Sequence, residues 1–359
     1  MNSIALTRSD VIVGVDTHKQ QHVGVAINGN GVRLGEITID ATNEGAAILL
    51  GWATSFGTIH CFGVEGCGSY GQGLARYLRR HGHPPVEVAR PPRKGQRRLS
   101  GKSDAIDAEH AARMVLAGTG LVTPKLADGQ IESLRLLKIV RDTAVKSRST
   151  AIIALKATLV TAPAELRAVL EPLTDFKLIT ACSELQAVDD LADPDNAIRH
   201  VLRALARRWL ALHEEIKIHT RHLKTITRAA APELLDRFGI GYDIAAEMLV
   251  TAGDNADRIR SEAAFAKLCG ACPIPTGSGK TNGRHRLNRG GNRQANAALY
   301  RAVIVRMRWH EPTIAYVARR TSEGLSKREI IRCLKRYVAR EVYQLLPKPS
   351  GTQEQREAA

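Results

Sequence analysis

The sequence predicts an α/β amino-terminal region followed by an all-α remainder, and three observations support this division. Short apolar runs between residues 11 and 89 alternate with turn residues and helical stretches. From residue 126 to 228 glycine is nearly absent and apolar residues recur at helical spacing. Near the carboxyl end, Ser326 and Glu329 form a capping box before an amphipathic run. We therefore predict regions at 1–125, 126–229 and 230–348, followed by a disordered tail at 349–359.

Composition favours a folded protein that binds a polyanion. The 359-residue chain is 44% hydrophobic and carries a formal net charge of +16, which is typical of nucleic-acid partners. A basic protein without such a partner is the alternative. Aromatic residues make up only 4%, which argues against base stacking as the main means of recognition. The six scattered cysteines suggest no disulfide framework, and we find no signal peptide and no membrane-spanning run, so we expect a reduced cytoplasmic protein.

The amino-terminal region predicts a three-stranded meander followed by alternating helices and strands. Asn-Gly pairs between the second and third apolar runs favour tight hairpins. Asn43 is a candidate cap for the first helix. The predicted strands are 11–15, 22–27, 32–39, 59–64 and 86–89, and the predicted helices are 43–54 and 70–81.

Two of these strands end on an acidic residue. Asp16 follows the first strand, and Glu65 follows strand 59–64. Either acid alone is more typical of a turn. Two acids that leave two strands at one edge of a sheet favour a shared site, because clustered carboxylates are the usual ligands of hard divalent cations.

A second pair of acids lies one helical turn apart. Ser103 can cap a helix in which Asp104 and Asp107 share one face of the first turn. The helix dipole alone also favours acids there, which is the structural alternative. Like charges at that spacing repel unless a cation neutralises them. We predict a site for Mg²⁺, or alternatively Mn²⁺, formed by Asp16, Glu65, Asp104 and Asp107. Two metal ions about 4 Å apart would support phosphoryl transfer on nucleic acid.

A basic loop at 90–102 lies directly before this helix. Six of its 13 residues are cationic and none is acidic, and its prolines and glycines argue against a helix. It is either a contact to the phosphate backbone or a solvated linker. The candidate contacts are Arg93, Lys94, Arg97, Arg98 and Lys102.

The middle region predicts long helices. Apolar residues from Ile198 to Ile226 alternate spacings of four and three, with a single interruption at His219, which is typical of a coiled-coil seam. A second, less regular stripe covers 131–159. The two helices can form a hairpin within the chain or can pack across a dimer.

The carboxyl-terminal region contains two further candidate nucleic-acid sites. Gly239 and Gly241 lie in a helix, Gly-x-Gly, helix pattern whose turn amides can bind a phosphate, although an ordinary connection is the alternative. Ser278 lies between two glycines in a predicted loop at 274–283, which is either a close approach to a backbone or a flexible linker. The upstream glycine of a nucleotide-binding loop is missing, so we expect no nucleotide cofactor. The surrounding candidate cations are Lys280, Arg284, Arg286, Arg289 and Arg293.

These motifs, in order, resemble bacterial DEDD-type transposases of the insertion sequence 110 family over nearly the whole chain. Segments 14–19, 64–65 and 102–108 resemble the four-acid domain of the family, and segments 238–241 and 273–293 resemble its second conserved domain. One departure is Gly277, where a small hydroxyl residue is common in the family, so Thr276 is a rival nucleophile.

The resemblance implies a fold, a mechanism and partners. The fold would be RNase H-like, as in RuvC-type Holliday-junction resolvases, with Mg²⁺ on the four acids. Ser278 would form a covalent link to a DNA phosphate. The two domains would meet in a composite site across the protomers of a homodimer or homotetramer. Some members are guided by an RNA that the element encodes.

Three functions are compatible with these observations. The first is a transposase that cuts and rejoins DNA through Ser278. The second is a RuvC-like junction nuclease in which water attacks. The third is a nucleic-acid scaffold without catalysis, in which the carboxylates are structural.

Overall fold

A mixed six-stranded sheet with helices on both faces organises the first part of the chain. The computed structural model describes residues 7, 9–89, 103–186, 190–277, 285–288 and 290–347. The first of two units comprises the described residues up to Gly129 together with Ala252–Arg260, and the second comprises Gln130–Thr251 and Ser261–Pro347. The predicted helical middle and most of the carboxyl-terminal region thus share the second unit.

The strands of the first unit are hydrogen-bonded in the order β3-β2-β1-β4-β5-β6. They are β1 (Asp10–Thr17), β2 (Gln21–Asn28), β3 (Arg33–Asp40), β4 (Thr58–Val64), β5 (Val86–Val88) and β6 (Leu121–Val122). The first three form an antiparallel meander, β4 and β5 run parallel to β1, and β6 is antiparallel to β5. The five predicted strands are confirmed. The sixth was not predicted, because two residues are too few to show a period.

Both faces of β1 are buried, and each faces different helices. Val11, Val13 and Val15 pack towards α1 (Asn43–Thr54) and α2 (Gln72–Arg80). Ile12 belongs to the opposite cluster, where the sheet packs on α3 (Asp104–Leu116). Burial on both faces explains why this strand is a continuous apolar run rather than an alternating one.

Helix α3 lies unusually close to the sheet at β1. A Cβ built on Gly14 would lie 1.9 Å from the carbonyl oxygen of Ala108 and 2.4 Å from the amide nitrogen of Ala112. A Cβ on Gly63 of β4 would lie 2.5 Å from a methyl group of Val115. Glycines on the strands and alanines on the helix therefore allow backbone to pack on backbone.

Local signals set the ends of these helices, with two corrections to the predictions. Helix α1 is capped by Thr42, whose Oγ1 accepts a hydrogen bond from the Gly45 amide at 3.1 Å, and not by Asn43. Helix α2 begins at Gln72 rather than at residue 70, because a glycine-rich turn occupies the preceding residues. Ser103 caps α3 as predicted, accepting from the Ile106 amide at 3.3 Å.

The second unit is mainly helical. Its elements are α4 (Gln130–Val160), α5 (Ala164–Leu170), α6 (Asp175–Ser183), α7 (Pro194–Ala230), α8 (Pro232–Leu235), α9 (Tyr242–Ala252), α10 (Glu262–Leu268), β7 (Pro273–Pro275), β8 (His285–Leu287), α11 (Arg293–Trp309), α12 (Glu311–Ser322) and α13 (Lys327–Gln344). Within the described part of the chain, no helix combines the length and apolar character that crossing a membrane requires.

The two longest helices, α4 and α7, pack against each other within the chain. Leu202, Ile216 and Leu223 of the predicted seam are buried. This is the first of the two predicted arrangements of these helices, and the supercoil itself stays a prediction. Leu155 of α4 and Leu202 of α7 share a core with α5 and α6.

An ion network fixes the start of α9. Asp243 accepts hydrogen bonds from Arg141 and Arg301 at 3.0 Å each, and from Lys138 at 3.3 Å. Burial lowers the pKa of Lys138, but neighbouring carboxylates outweigh it and the pKa is raised overall. The network holds the helix that follows Gly239, whose φ of +76° favours glycine.

The prediction of a loop at 274–283 is wrong for its first two residues, which belong to strand β7. Strand β7 pairs antiparallel with β8, and Ile274 and Pro275 face Arg286 and His285. Proline has no backbone N–H, but it is tolerated in an edge strand at positions that donate no hydrogen bond to the neighbouring strand. Residues 278–284 lie outside the described part of the chain.

The basic residues of the last helix, α13, are not all exposed to solvent. The capping box of Ser326 and Glu329 is confirmed. Lys335, however, is buried and donates to Oδ1 of Asn296 at 2.9 Å. Arg340 donates to Glu262 at 2.9 Å, so part of this face is held by internal partners.

We expect Gly14→Ala to lower the free energy of unfolding by about 1–3 kcal/mol, because a new methyl group would overlap the backbone of α3. Chemical denaturation of the purified variant measures this loss.

The matched control is Gly51→Ala in α1, where a Cβ would meet nothing within 4 Å. This change should be neutral or stabilising by up to about 1 kcal/mol. Equal denaturation midpoints for the two variants would contradict the close packing of α3 on β1.

Candidate metal centre

The register of the sheet brings the ends of β1 and β4 together. Val15 pairs with Val64 in parallel, so Asp16 and Glu65 are the next residues at the same edge. Thr17 donates a hydrogen bond from Oγ1 to the backbone oxygen of Glu65 at 2.7 Å, which ties the two strand ends to each other. By strand alternation, Asp16 lies on the face of Ile12 and Gly14, towards α3.

The first turn of α3 extends its buried stripe beyond the sheet. Ala108, Ala111 and Val115 are buried against the strands. Counting back four residues from Ala108 and from Ala111 gives Asp104 and Asp107, which lie on the same face of the helix. The stripe turns from apolar to acidic at the edge where β1 and β4 end.

Three side chains meet at this edge. The Nε2 atom of His18 lies 3.1 Å from Oδ2 of Asp16, so as to donate a hydrogen bond, and 3.4 Å from Oδ2 of Asp104. One potential ligand atom from each residue falls within 4.8 Å of the others. Glu65 and Asp107 are partly buried and lie outside this tight group.

Electrostatics connect all four predicted acids. Burial raises the pKa of the Asp16 carboxyl; the nearby His18 lowers it, and Glu65, Asp104 and Asp107 each raise it further. Asp16 is only 8% exposed, so water screens this repulsion poorly. Each of the other three acids therefore lies within electrostatic range of Asp16, and the ionised form of Asp16 is unfavourable without a counter-charge.

A divalent cation fits this donor set. Carboxylate oxygens are the ligands that Mg²⁺ and Mn²⁺ prefer, and a cation would favour the ionised form that burial now disfavours. The imidazole of His18 is a further donor, more acceptable to Mn²⁺ than to Mg²⁺. The sequence motif contained His18, but no role followed from it. Its position two residues after Asp16 was a signal, but β1 ends at Thr17, so strand alternation alone does not place the side chain.

The other predicted site residues divide into two groups. Gly239 adopts the left-handed region, Gly241 is exposed with open space around it, and Arg286 and Arg293 are exposed on β8 and at the start of α11. The remaining ones lie outside the described residues: Arg93, Lys94, Arg97, Arg98, Lys102, Ser278, Lys280, Arg284 and Arg289.

Two family models match the chain. One, described as a transposase of the DEDD type of IS110, matches residues 13–162 and spans all four acids. The other, described as Transposase IS116/IS110/IS902 family, matches residues 231–318 and spans Gly239, Gly241 and Ser278. Together they cover about two thirds of the chain. No match was found among curated proteins.

Divalent metal should stabilise the protein through this cluster. A ligand at 100 times its dissociation constant adds about 2.7 kcal/mol of stability, which would appear as a rise in Tm on addition of MnCl₂ or MgCl₂. We expect Asp104→Asn to abolish this rise while leaving the metal-free Tm unchanged or higher, because it removes a like charge beside Asp16.

The control is Glu36→Gln, which removes an exposed carboxylate in the middle of β3, opposite Val25, and should keep the full rise in Tm. If divalent metal raises the Tm of Asp104→Asn and of the control variant equally, the metal binds outside this cluster.

Proposed function

The chain belongs to the insertion sequence 110 family of transposases, and on this premise we propose that it cuts and rejoins DNA strands through a Mg²⁺-binding carboxylate cluster and a serine nucleophile, Ser278. DNA is the substrate of this family. The observation that carries the proposal is the meeting of Asp16, His18 and Asp104, with Glu65 and Asp107 in electrostatic range. Repulsion among these carboxylates raises the free energy of the folded state, and a bound cation would offset it.

The sheet topology supports an RNase H-like, RuvC-type first unit. An antiparallel meander of three strands, followed by two strands parallel to the first, presents the ends of β1 and β4 at one edge. In open sheets of this kind, sites form where neighbouring strands end. In this protein Asp16 is the penultimate residue of β1, and Glu65 directly follows β4.

Asp16, Glu65, Asp104 and Asp107 would hold the cation, with Mg²⁺ as the first choice and Mn²⁺ as the second. When bound, it supplies Lewis-acid polarisation of a phosphate oxygen. The chain's own part is to hold the carboxylates in place. Their positions depend on the β1–β4 register and on the packing of α3, so little reorganisation is needed when a scissile phosphate arrives.

Ser278 would supply the nucleophile. Its Oγ attacks phosphorus, the bond from phosphorus to the leaving deoxyribose oxygen breaks, and the serine proton ends on that oxygen. One phosphodiester is exchanged for another, so rejoining by the reverse step needs no nucleotide cofactor. Ser278 follows Thr276 by two positions in the sequence. Thr276 and Arg286 of β8 line the same cavity, and Arg286 is a cation that could offset charge on the phosphate.

Oligomerisation and RNA guidance form a further part of the proposal. A homodimer or homotetramer would let acids and serine come from different protomers, and the paired helices α4 and α7 offer a long surface for assembly. An RNA that pairs with DNA would supply sequence recognition, which suits a chain with a net charge of +16 and few aromatic residues.

We expect the wild-type protein with cognate DNA and guide RNA to give a protein–DNA adduct that survives denaturing electrophoresis. Ser278→Ala should give none, because the ester to Oγ cannot form. Thr276→Ala is the matched control, since it removes the neighbouring hydroxyl, and it should keep the adduct.

Two other results would decide between the alternatives. Strand cleavage by Ser278→Ala without an adduct would favour the junction nuclease that uses water. An adduct that is lost in Thr276→Ala and kept in Ser278→Ala would move the nucleophile to Thr276.

Asp16→Asn should lower the rate of strand cleavage by about 100-fold or more, the scale on which preorganised charge stabilisation acts. Cleavage of a labelled strand in single-turnover reactions measures the rate. Glu36→Gln, an exposed acid of β3, should cleave at the wild-type rate. Full activity in Asp16→Asn would contradict the metal proposal and favour a scaffold with structural carboxylates.

A further inference from the structure

A cationic cavity of about 900 Å³ lies within the second unit, between the β7–β8 hairpin and helices α12 and α13. Thr276 and Arg286 line it from the hairpin side. Among the described residues of its lining, Glu329 is the one acid. The cations of its walls are Arg286, Arg320, Arg332, Lys335, Arg336 and Arg340.

Carboxylates within the unit neutralise only part of this charge. Glu262 is shared by Arg336 and Arg340, so one acid serves two guanidinium groups. Lys335 donates to the neutral amide of Asn296 at 2.9 Å. Arg332 and Arg320 pair with one glutamate each, Glu329 and Glu323. Among the described residues, six cations thus share three carboxylates.

Several groups in the cavity wall are poorly satisfied. Nε of Arg320 and Nη1 of Arg336 are buried and have no hydrogen-bond acceptor among the described residues. Burial, and then the charge of Arg332, lower the pKa of Lys335. An unpaired buried donor and crowded like charges both cost free energy, and an anion in the cavity would relieve both.

An exposed aromatic ring lies at the same cavity. Tyr337 lines it and is 48% exposed, in a chain with few aromatic residues. Its ring packs edge to face on Tyr316, with centroids 5.7 Å apart, and the guanidinium carbon of Arg340 lies 6.0 Å from its centroid. These contacts hold the ring in place while part of its surface stays open.

We propose that this cavity holds a phosphate of a single-stranded nucleic-acid segment and that a base of the same segment stacks on Tyr337. Arginines bind phosphate through several donors at once. A half-exposed ring beside them provides the stacking platform that unpaired bases use. A base inside a duplex is already stacked, so the combination favours a single strand over a duplex. The inference rests on the proposed function in assuming that the chain handles nucleic-acid strands.

The probes are a fluorescein-labelled 12-nucleotide DNA, the RNA of the same sequence and the corresponding DNA duplex, each titrated with the full-length protein in EDTA. We expect Arg332→Gln to weaken binding of the single strands about tenfold. It should also reduce the slope of log affinity against log salt concentration by about 0.7. Arg308→Gln removes an equal charge from the exposed surface of α11, outside the cavity, and should change neither value by as much.

The stacking contact has its own test. Tyr337→Leu should weaken single-strand binding roughly tenfold and duplex binding little, while Tyr337→Phe keeps the ring and should bind normally. Equal losses in Arg332→Gln and Arg308→Gln, or equal effects of Tyr337→Leu on single strand and duplex, would overturn the inference. A larger effect on RNA than on DNA assigns the cavity to RNA, and the converse assigns it to DNA; either result supports it.

Using the Ser278→Ala protein in EDTA separates this inference from the proposed function, because neither strand chemistry nor metal contributes to the signal. Dependence of binding on Arg332 and Tyr337 supports the cavity even if no covalent adduct ever forms. If the protein with Ser278 forms the adduct but Arg332→Gln and Tyr337→Leu leave strand binding unchanged, the cavity inference is wrong and the proposed function stands. Thermal unfolding of each variant confirms that it is folded.

Discussion

The contact of α3 with β1 is the constraint on which the acid cluster depends. Two strand ends alone would present Asp16 and Glu65; the helix adds Asp104 and Asp107 because Gly14 and the alanines let its backbone lie directly on the strand. A backbone contact cannot be relaxed by turning a side chain, so the distance from Asp104 to the edge of the sheet is fixed. The apolar packing on both faces of β1 offsets the repulsion that follows from gathering three other carboxylates around the buried Asp16.

Much of this arrangement could be predicted from the sequence because it depends on periodicity. A β-branched run predicts a buried strand, two parallel strands predict that Asp16 and Glu65 meet, and a three-residue spacing predicts that Asp104 and Asp107 share a face. His18 escaped prediction because its role depends on how the chain leaves β1. Thr42 and Asn43 are both good caps, and only the extended backbone at Thr42 decides between them.

The errors near the carboxyl end have a different origin, since they depend on partners distant in sequence. Prolines argued against a strand at β7, yet pairing with β8 tolerates them. Lys335 lies among the basic residues of α13, but it is buried because Asn296, 39 residues earlier, provides an acceptor for its ammonium group. Neither partner carries a local signal. Tertiary contacts of this kind are visible only once the helices are packed.

Two clusters of ion pairs in the second unit show how the balance of charge distinguishes a structural network from a candidate binding site. Around Asp243, three cations (Lys138, Arg141 and Arg301) face three carboxylates (Asp142, Asp243 and Glu247), so the network is neutral and holds helices together. Among the described residues at the cavity wall, six cations share three carboxylates. An excess that folding leaves uncompensated must be neutralised by solvent ions or by a ligand, and it raises affinity for any anion that displaces those ions. The acid cluster presents the converse case, an excess of negative charge around Asp16. If the two proposals hold, a phosphodiester accompanied by divalent cations would supply the charge that each site lacks, and one substrate class would account for both features.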